Sequence, residues 1–340
     1  MKPAAAVSPD VQRLREMLAP RIPDAEEAQF VAAALPQPDE AAQRRWLAAP
    51  DVPSNAVDLQ ALLHHSLLHT ALPLPAEWAR RLATASLVEE RRAAAIDTLL
   101  GPALTCLRRQ KLAPLLLGGR AFAAAYPHPA LRHTSEQRLL FATAAQRAEA
   151  SAALCRDLPF RPKDRTGRQL LHEGGFPLEL VASTLPPPFA QISYAAMWPR
   201  RVPYDWRGEA VAVPNPADAL AVLATDAVRA AAGRDLRWLA DAWFLLPGAA
   251  AMPDALAAWA TEPIVGLAIH GLLRSLAALP GGRIAQTRLE TLSAASAAPE
   301  PRLADLLDSC ARLIGRRRTL LSARHWPTRL HWLFRLARRR

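Results

Sequence analysis

The sequence has little of several features that mark particular classes of protein. Its 340 residues include three cysteines, and aromatic residues make up only 6%. Cys106, Cys155 and Cys310 show neither a Cys-x-x-Cys nor a Cys/His spacing, so neither a disulfide framework nor a zinc site is indicated. No run of about 18 apolar residues escapes interruption, and the charged N-terminus develops no signal-peptide core. These absences predict a cytoplasmic protein without a transmembrane segment.

Several sequence motifs of enzymes are absent as well. The chain has no Gly-x-Ser-x-Gly elbow, no phosphate-binding P-loop and no dinucleotide-binding Gly-x-Gly-x-x-Gly. His65 and His69 have the i, i+4 spacing of two ligands on one helical turn, but no glutamate completes a His-Glu-x-x-His pattern. A zinc hydrolase is therefore not indicated, and we interpret these histidines as residues of a packed helix.

The charge that is present has one predominant sign. The formal net charge is +11, and all but three of the 42 basic residues are arginines. The segment 312–340 contains ten arginines with interleaved aromatic residues and no acidic residue. It fits a surface for nucleic acid or an anionic membrane, but we favour a helix that packs its aromatics on the protein and leaves its basic face in solvent. An arginine-rich and alanine-rich composition also arises in GC-rich genomes without selection for binding.

The spacing of apolar residues divides the chain into three regions. Residues 1–105 indicate helices separated by prolines, residues 106–215 contain strand-like segments, and residues 216–340 return to helical spacing. The strand candidates are LAPLLLGG, RLLFAT, PLELVA and GEAVAVPNP, all in the middle region. We predict an α+β fold in which a small mixed sheet is flanked by N-terminal and C-terminal helical regions.

The most specific pattern is the segment LLLGGRAFAAAYPHPALRHTSEQRLLF, residues 115–141. A strand leads into the Gly118-Gly119 turn, and a Tyr-Pro-x-Pro-x-x-Arg stretch ending at Arg132 precedes a second strand. Together with LELV at 178–181, this order resembles an uncharacterised bacterial nucleotidyltransferase family of the polymerase-β-like superfamily. The resemblance extends over roughly residues 55–250 and implies a nucleotidyltransferase-like α/β core.

The resemblance implies a site for nucleotidyl transfer. In such sites two carboxylates at positions i and i+2 of one strand, with a third on a neighbouring strand, hold two divalent metals. An active member would use Mg²⁺ to move a nucleoside monophosphate from an NTP to an acceptor, which is a small molecule, a sugar phosphate or a protein. Because the fold must gather the acidic positions, we predict that the strands containing Leu115–Leu117, Leu139–Phe141 and Leu178–Val181 are neighbours.

The acidic pattern is incomplete in this chain. Glu136 stands at the first acidic position and Glu179 at the third, and the resemblance makes them the catalytic and metal-binding residues. The second position is Arg138, whose guanidinium cannot bind a metal. We expect weakened or lost catalysis, with Arg138 replacing the metal charge through an ion pair with Glu136. The alternative is that both glutamates are simply solvated residues of the strands.

Three hypotheses for function follow. The first is a nucleotidyltransferase, and the second is a noncatalytic pseudoenzyme that holds a nucleotide or a protein partner. The third is a helical adaptor that binds nucleic acid or a membrane surface through the basic C-terminus. The loss of an acidic residue at position 138 favours the second hypothesis over the first. The predicted nucleotide-binding residues are Gly118, Gly119, Arg120, Arg132 and Arg138.

Overall fold

The computed structural model describes residues 23–36, 40–183, 185, 190–206, 209–230 and 236–279. Within these residues the chain forms eleven α-helices and seven β-strands. Cys310 and the basic segment 312–340 lie outside the described residues, so the predictions made for that segment stay predictions.

Four helices precede the first strand. They are α1 (Ala25–Ala34), α2 (Ala41–Ala48), α3 (Gln60–Leu68) and the long α4 (Ala76–Arg109). A capping box starts α1, because Asp24 accepts a hydrogen bond from the backbone N–H of Glu27 while the Glu27 carboxylate accepts one from the N–H of Asp24. From residue 23 onward, the described part of the N-terminal region is helical, as its proline-separated apolar pattern predicts.

The middle of the chain forms one mixed sheet. Its strands are β1 (Leu115–Leu117), β2 (Gln137–Phe141), β3 (Phe160–Pro162), β4 (Gln169–His172), β5 (Pro177–Ala182), β6 (Val202–Trp206) and β7 (Glu209–Val213). Their order in the sheet is β3-β4-β5-β2-β1-β7-β6. Its central strands β5 and β2 are parallel, and β2 is antiparallel to β1. The predicted neighbourhood of these three strands is thus confirmed, as is the α+β fold with a mixed sheet. The four strand candidates correspond to β1, β2, β5 and β7.

Seven more helices connect or follow these strands. They are α5 (Gly119–Ala123), α6 (Ala144–Asp157), α7 (Tyr194–Met197), α8 (Pro216–Ala230), α9 (Arg237–Ala250), α10 (Pro253–Ala260) and α11 (Pro263–Ala277). Within the described residues no individual helix has both the length and the hydropathy to cross a membrane, although α10 and most of α11, which meet at a bend of 113°, meet both criteria as a pair.

Hydrophobic cores cover both faces of the sheet because successive strand residues point to opposite sides. On one face Leu116 and Leu139 pack with the end of α4 and with α6. On the other face Leu117 and Leu140 belong to a cluster that includes α8, α9 and α11. The N-terminal helices contribute to this second cluster, for example through Phe30. The region boundaries near residues 105 and 215 stay a prediction, since both helical regions share this core.

A buried aspartate fixes α8, the helix that carries one of the site residues described below. The Asp218 carboxylate is fully buried and accepts hydrogen bonds from Arg200 Nη2 at 2.7 Å, Asn215 Nδ2 at 2.9 Å and Trp259 Nε1 at 2.6 Å. Asn215 also caps the helix, because its Oδ1 accepts from the backbone N–H of Ala217 at 2.9 Å. These contacts tie α8 to α10 and to the loop before β6.

Candidate functional site

The site begins at the turn between β1 and α5. Gly118 and Gly119 both have positive φ angles, of 58° and 41°. A Cβ atom at Gly119 would collide with the Gln137 side chain and lie 3.0 Å from the carbonyl oxygen of Glu136. Gln137 is completely buried, donates from Nε2 to the carbonyl of Leu117 at 2.8 Å and accepts at Oε1 from the N–H of Arg120 at 2.9 Å. The glycine pair therefore lets the turn lie directly against β2.

Arg138 lies at the centre of a group of carboxylates. It pairs in register with Glu179 across β2 and β5, and its Nε is 2.7 Å from Glu179 Oε2. Its Nη1 donates to both oxygens of Asp226 on α8, at 3.1 and 3.0 Å. Its Nη2 is 3.8 Å from Glu136 Oε1. The predicted partner Glu136 thus makes the longest of the three contacts, and the shorter ones involve Glu179 and Asp226.

The carboxylates keep this arginine fully charged. Its side chain is 11% exposed, and burial by itself lowers the pKa of the guanidinium, but the charges of Asp226 and Glu179 outweigh burial and raise the pKa above its ordinary value. The space between the carboxylates therefore holds a permanent cation. Among the described residues, no group of three or more His, Cys, Asp or Glu side chains is arranged to hold a metal ion.

A second ion-pair network explains the Tyr-Pro-x-Pro-x-x-Arg stretch. Asp241 on α9 accepts from Arg132 Nε at 2.7 Å and from Nη2 at 2.8 Å, and it accepts from the Tyr126 hydroxyl at 2.8 Å. Burial, together with the charge of Asp241, raises the pKa of Tyr126 well above its ordinary value, so the phenol stays a hydrogen-bond donor. Both ends of the stretch therefore fasten the connection between α5 and β2 to α9.

The Arg120 side chain belongs to neither of these two ion-pair networks. Its Nη2 forms a buried ion pair with Asp97 of α4 at 2.8 Å, and its Nη1 donates to the carbonyl of Pro129 at 3.1 Å. The guanidinium carbon lies 5.2 Å from the centre of the Trp206 ring. Of the three arginines predicted to bind nucleotide, Arg132 and Arg138 share one pocket, whereas Arg120 belongs to the contact between α5 and α4.

The pocket has a volume of about 320 Å³ and lies between the glycine turn, β2, α8 and α9. Its wall includes Arg237 of α9, whose Nη1 donates to the carbonyl of His133 at 3.1 Å and whose Nε is 3.5 Å from Asp58. Of the predicted site residues, the pocket contains the two glycines, Arg132, Glu136 and Arg138, while Glu179 lies behind Arg138. The lining residues are Leu117, Gly118, Gly119, Phe122, Arg132, Ser135, Glu136, Arg138, Leu223, Asp226, Ala227, Arg237, Trp238 and Asp241.

Sequence reasoning missed three charged residues of this pocket, namely Asp226, Arg237 and Asp241. A signal for Asp226 was present, because it interrupts an apolar helical run between Thr225 and Ala227, both of which are buried. A carboxylate in such a position requires a partner. The partner is not adjacent in the sequence, so the pairing with Arg138 becomes visible only in the fold.

Known proteins similar to this chain are found among solved structures and protein families. A solved structure titled an antigenic nucleotidyltransferase-like protein from Paracoccidioides brasiliensis shares 13% sequence identity, and the alignment covers 58% of this chain and 91% of that one with a TM-score of 0.35. No match was found among curated protein sequences. The profile of a family described as an uncharacterised nucleotidyltransferase matches residues 54–279, about two thirds of the chain. The chain therefore belongs to this nucleotidyltransferase family.

Proposed function

We propose that this protein uses the nucleotidyltransferase fold to bind a nucleotide-like ligand without metal ions, and that it does not transfer nucleotidyl groups. The observation that carries the proposal is the position of the Arg138 guanidinium, 2.7 Å from Glu179 and 3.0 Å from Asp226. The acidic side chains that would coordinate metals are thus already neutralised by a side chain. The residues present do not fit a pair of Mg²⁺ ions.

The electrostatics of this arrangement oppose metal binding. Two-metal transfer requires carboxylate oxygens that face both ions and leave positions open for the phosphates. Here the Arg138 guanidinium already donates hydrogen bonds to oxygens of Glu179 and Asp226, and its positive charge repels an incoming cation. Two unit charges 4 Å apart interact by about 4 kcal/mol at an effective dielectric constant of 20, and a divalent ion doubles that repulsion. A divalent ion would have to displace the arginine.

Ligand binding is supported by the surroundings of the arginine. The glycine turn brings main-chain atoms to the pocket wall, and the partly exposed Trp238 supplies aromatic surface. A concave site with apolar walls and a few convergent polar groups is typical of small-molecule binding. A protein partner in place of the nucleotide, and contact of the C-terminal segment with nucleic acid or anionic membranes, stay predictions.

The test measures chemistry and binding separately. Pyrophosphate release is followed with labelled NTPs, Mg²⁺ or Mn²⁺ and candidate acceptors, and nucleotide binding is titrated with and without Mg²⁺. We expect no release above the blank and equal affinity in both titrations. Robust release that is abolished by Glu136→Ala and retained by Glu149→Gln, a change on the exposed side of α6, would show a working metal site and contradict the proposal.

A further inference from the structure

We infer that the pocket selects a ligand with little negative charge, a nucleoside, over the corresponding triphosphate. The inference rests on the proposed function, namely that the pocket receives a nucleotide-like ligand without metal ions. It adds the charge class of that ligand, and it reverses the preference expected of an enzyme that consumes NTPs.

The charges around the pocket cancel. Its wall contains three guanidinium groups, those of Arg132, Arg138 and Arg237, and it contains three carboxylates as well. Glu179, which contacts Arg138 from behind, adds a fourth negative charge. Three positive and four negative charges leave no excess of positive charge for an incoming polyphosphate. The carboxylates of the wall are Glu136, Asp226 and Asp241.

Each of the three arginines also has a carboxylate beside it. The Asp241 carboxylate accepts hydrogen bonds from both Nε and Nη2 of Arg132, and the Asp226 carboxylate accepts from Nη1 of Arg138. Arg237 lies 3.5 Å from a carboxylate oxygen of Asp58. A phosphate that approached these cations would therefore meet their partner carboxylates at similar distances. The repulsion between the phosphate and these carboxylates offsets its attraction to the arginines.

The polar groups that do face the pocket suit hydroxyls and base edges. Among the described residues no hydrogen bond reaches Arg138 Nη2, which lies 3.8 Å from Glu136 and so has donor capacity for a neutral acceptor. Carboxylates accept hydrogen bonds, and a ribose hydroxyl both donates and accepts. A nucleoside can thus bridge Arg138 and Glu136, whereas a phosphate would be attracted by the first and repelled by the second.

The size and the apolar surface of the pocket agree with this ligand class. A volume of about 320 Å³ is at the lower end of the roughly 300–1,000 Å³ of ligand pockets. The partly exposed Trp238 provides an aromatic surface against which a flat base can pack, while Phe122 and Leu223 form the buried apolar wall behind it. The pocket therefore offers apolar contact for a base and polar contact for a sugar, but no cluster of unpaired cations for a phosphate chain.

The experiment is calorimetric titration of the full-length chain in EDTA. Four series of ligands are compared, one for each of the bases adenine, guanine, cytosine and uracil. Each series contains the ribonucleoside of that base and its monophosphate, diphosphate and triphosphate. In the series that binds, we expect the nucleoside to bind at least tenfold more tightly than the triphosphate. A triphosphate that binds more tightly than its nucleoside overturns this inference and leaves metal-free binding intact. Failure of every compound to bind overturns the proposed function as well.

A charge variant tests the cause of the preference. Asp226→Asn removes one negative charge while it keeps a hydrogen-bonding group, so the preference for nucleoside over triphosphate should narrow about tenfold. If Asp226→Asn does not fold, Glu136→Gln is used in its place, because the Glu136 side chain is 48% exposed. Glu149→Gln on the exposed side of α6 is the matched control and should keep the ratio of the natural chain. An unchanged ratio in both pocket variants contradicts the electrostatic explanation.

Discussion

Arg138 and Asp226 are 88 residues apart in the sequence, yet Arg138 Nη1 donates to both oxygens of the Asp226 carboxylate, at 3.1 and 3.0 Å. One residue belongs to the central strand β2 and the other to α8. Glu179, from β5, binds the same guanidinium through Nε. A single arginine thus joins two strands and a helix at the place where this fold gathers its acidic residues.

Removal of this arginine should destabilise the protein severely. Arg138→Met leaves Glu179 and Asp226 close together without a counter-charge, and breaking a buried ion pair in this way costs about 3–5 kcal/mol. Urea denaturation measures the free energy of unfolding. The matched control is Arg156→Met, because Arg156 pairs with Asp157 in full contact with solvent and should change the stability little. Equal effects of the two substitutions would contradict the role given to Arg138.

The network around Asp241 gives a second prediction. Tyr126→Phe removes the hydroxyl that donates to a buried carboxylate, and hydrogen bonds to charged groups contribute about 1.5–3 kcal/mol. Tyr194→Phe is the control, because that hydroxyl donates at 2.9 Å to the neutral carbonyl of Ala113 and should contribute only about 0.5–1.5 kcal/mol. Thermal and urea melts compare the two. A larger loss of stability in Tyr194→Phe would indicate that Tyr126 does not fasten the connection between α5 and β2 to α9.

The central sheet could be predicted because its strands are strongly apolar and short. LLL of β1 and the apolar residues of β2 and β5 are buried on both faces, and glycine or proline stands close to the ends of β1 and at the start of β5. The edge strands β3 and β6, and β4 beside β3, gave no such signal, because polar or exposed residues alternate with few buried ones, as in Phe160–Pro162. Their pairing depends on neighbouring strands rather than on their own composition.

The glycine turn should tolerate no side chain at its second position. Gly119→Ala places a Cβ against Gln137 and Glu136 at a φ of 41°, and strain of this kind costs about 1–3 kcal/mol. Gly101→Ala, within α4, meets nothing within 4 Å and should instead stabilise the helix by about 1 kcal/mol. Opposite signs are therefore expected in urea denaturation. Tolerance of alanine at position 119 would mean that the turn does not need the close approach to β2.

The histidines of α3 should make stability depend on pH. Burial lowers the pKa of His64 and His65 below the ordinary value of 6.5, and for His65 the charges of His69, His128 and His64 lower it further. Below that pH the unfolded chain therefore binds more protons than the folded one, so stability falls as the pH drops below about 6.5.

This pH dependence is measured by urea denaturation between pH 7.5 and pH 5.5. His65→Gln should reduce the loss of stability over this range, because it removes a histidine whose pKa is lowered by folding. His172→Gln is the control, because His172 lies on strand β4, apart from the neighbouring histidines that lower the pKa of His65. The same pH profile in His65→Gln as in the natural chain would contradict the prediction.

The candidate site was only partly predictable for reasons of geometry. Glu136, Arg138 and Glu179 were identified because a resemblance aligned them with a known acidic pattern, and the parallel pairing of β2 with β5 then places Arg138 beside Glu179. The direction of a side chain on a short helix is not encoded in such a pattern, so Arg120 was grouped with the pocket although it pairs with Asp97. Asp226 required knowledge of how α8 packs on the sheet.

Direct measurement of Mn²⁺ binding tests the central claim, that the Arg138 guanidinium stands where a metal would be bound. Mn²⁺ is titrated into the natural chain and into the Arg138→Asp variant, and free Mn²⁺ is monitored by its electron paramagnetic resonance signal. The variant is purified in the presence of Mn²⁺. We expect the natural chain to leave Mn²⁺ free. We expect Arg138→Asp to bind it through the new aspartate with Glu136, Glu179 and Asp226. Tight binding by the natural chain that is lost in Glu136→Gln, or no binding by folded Arg138→Asp, would contradict the account.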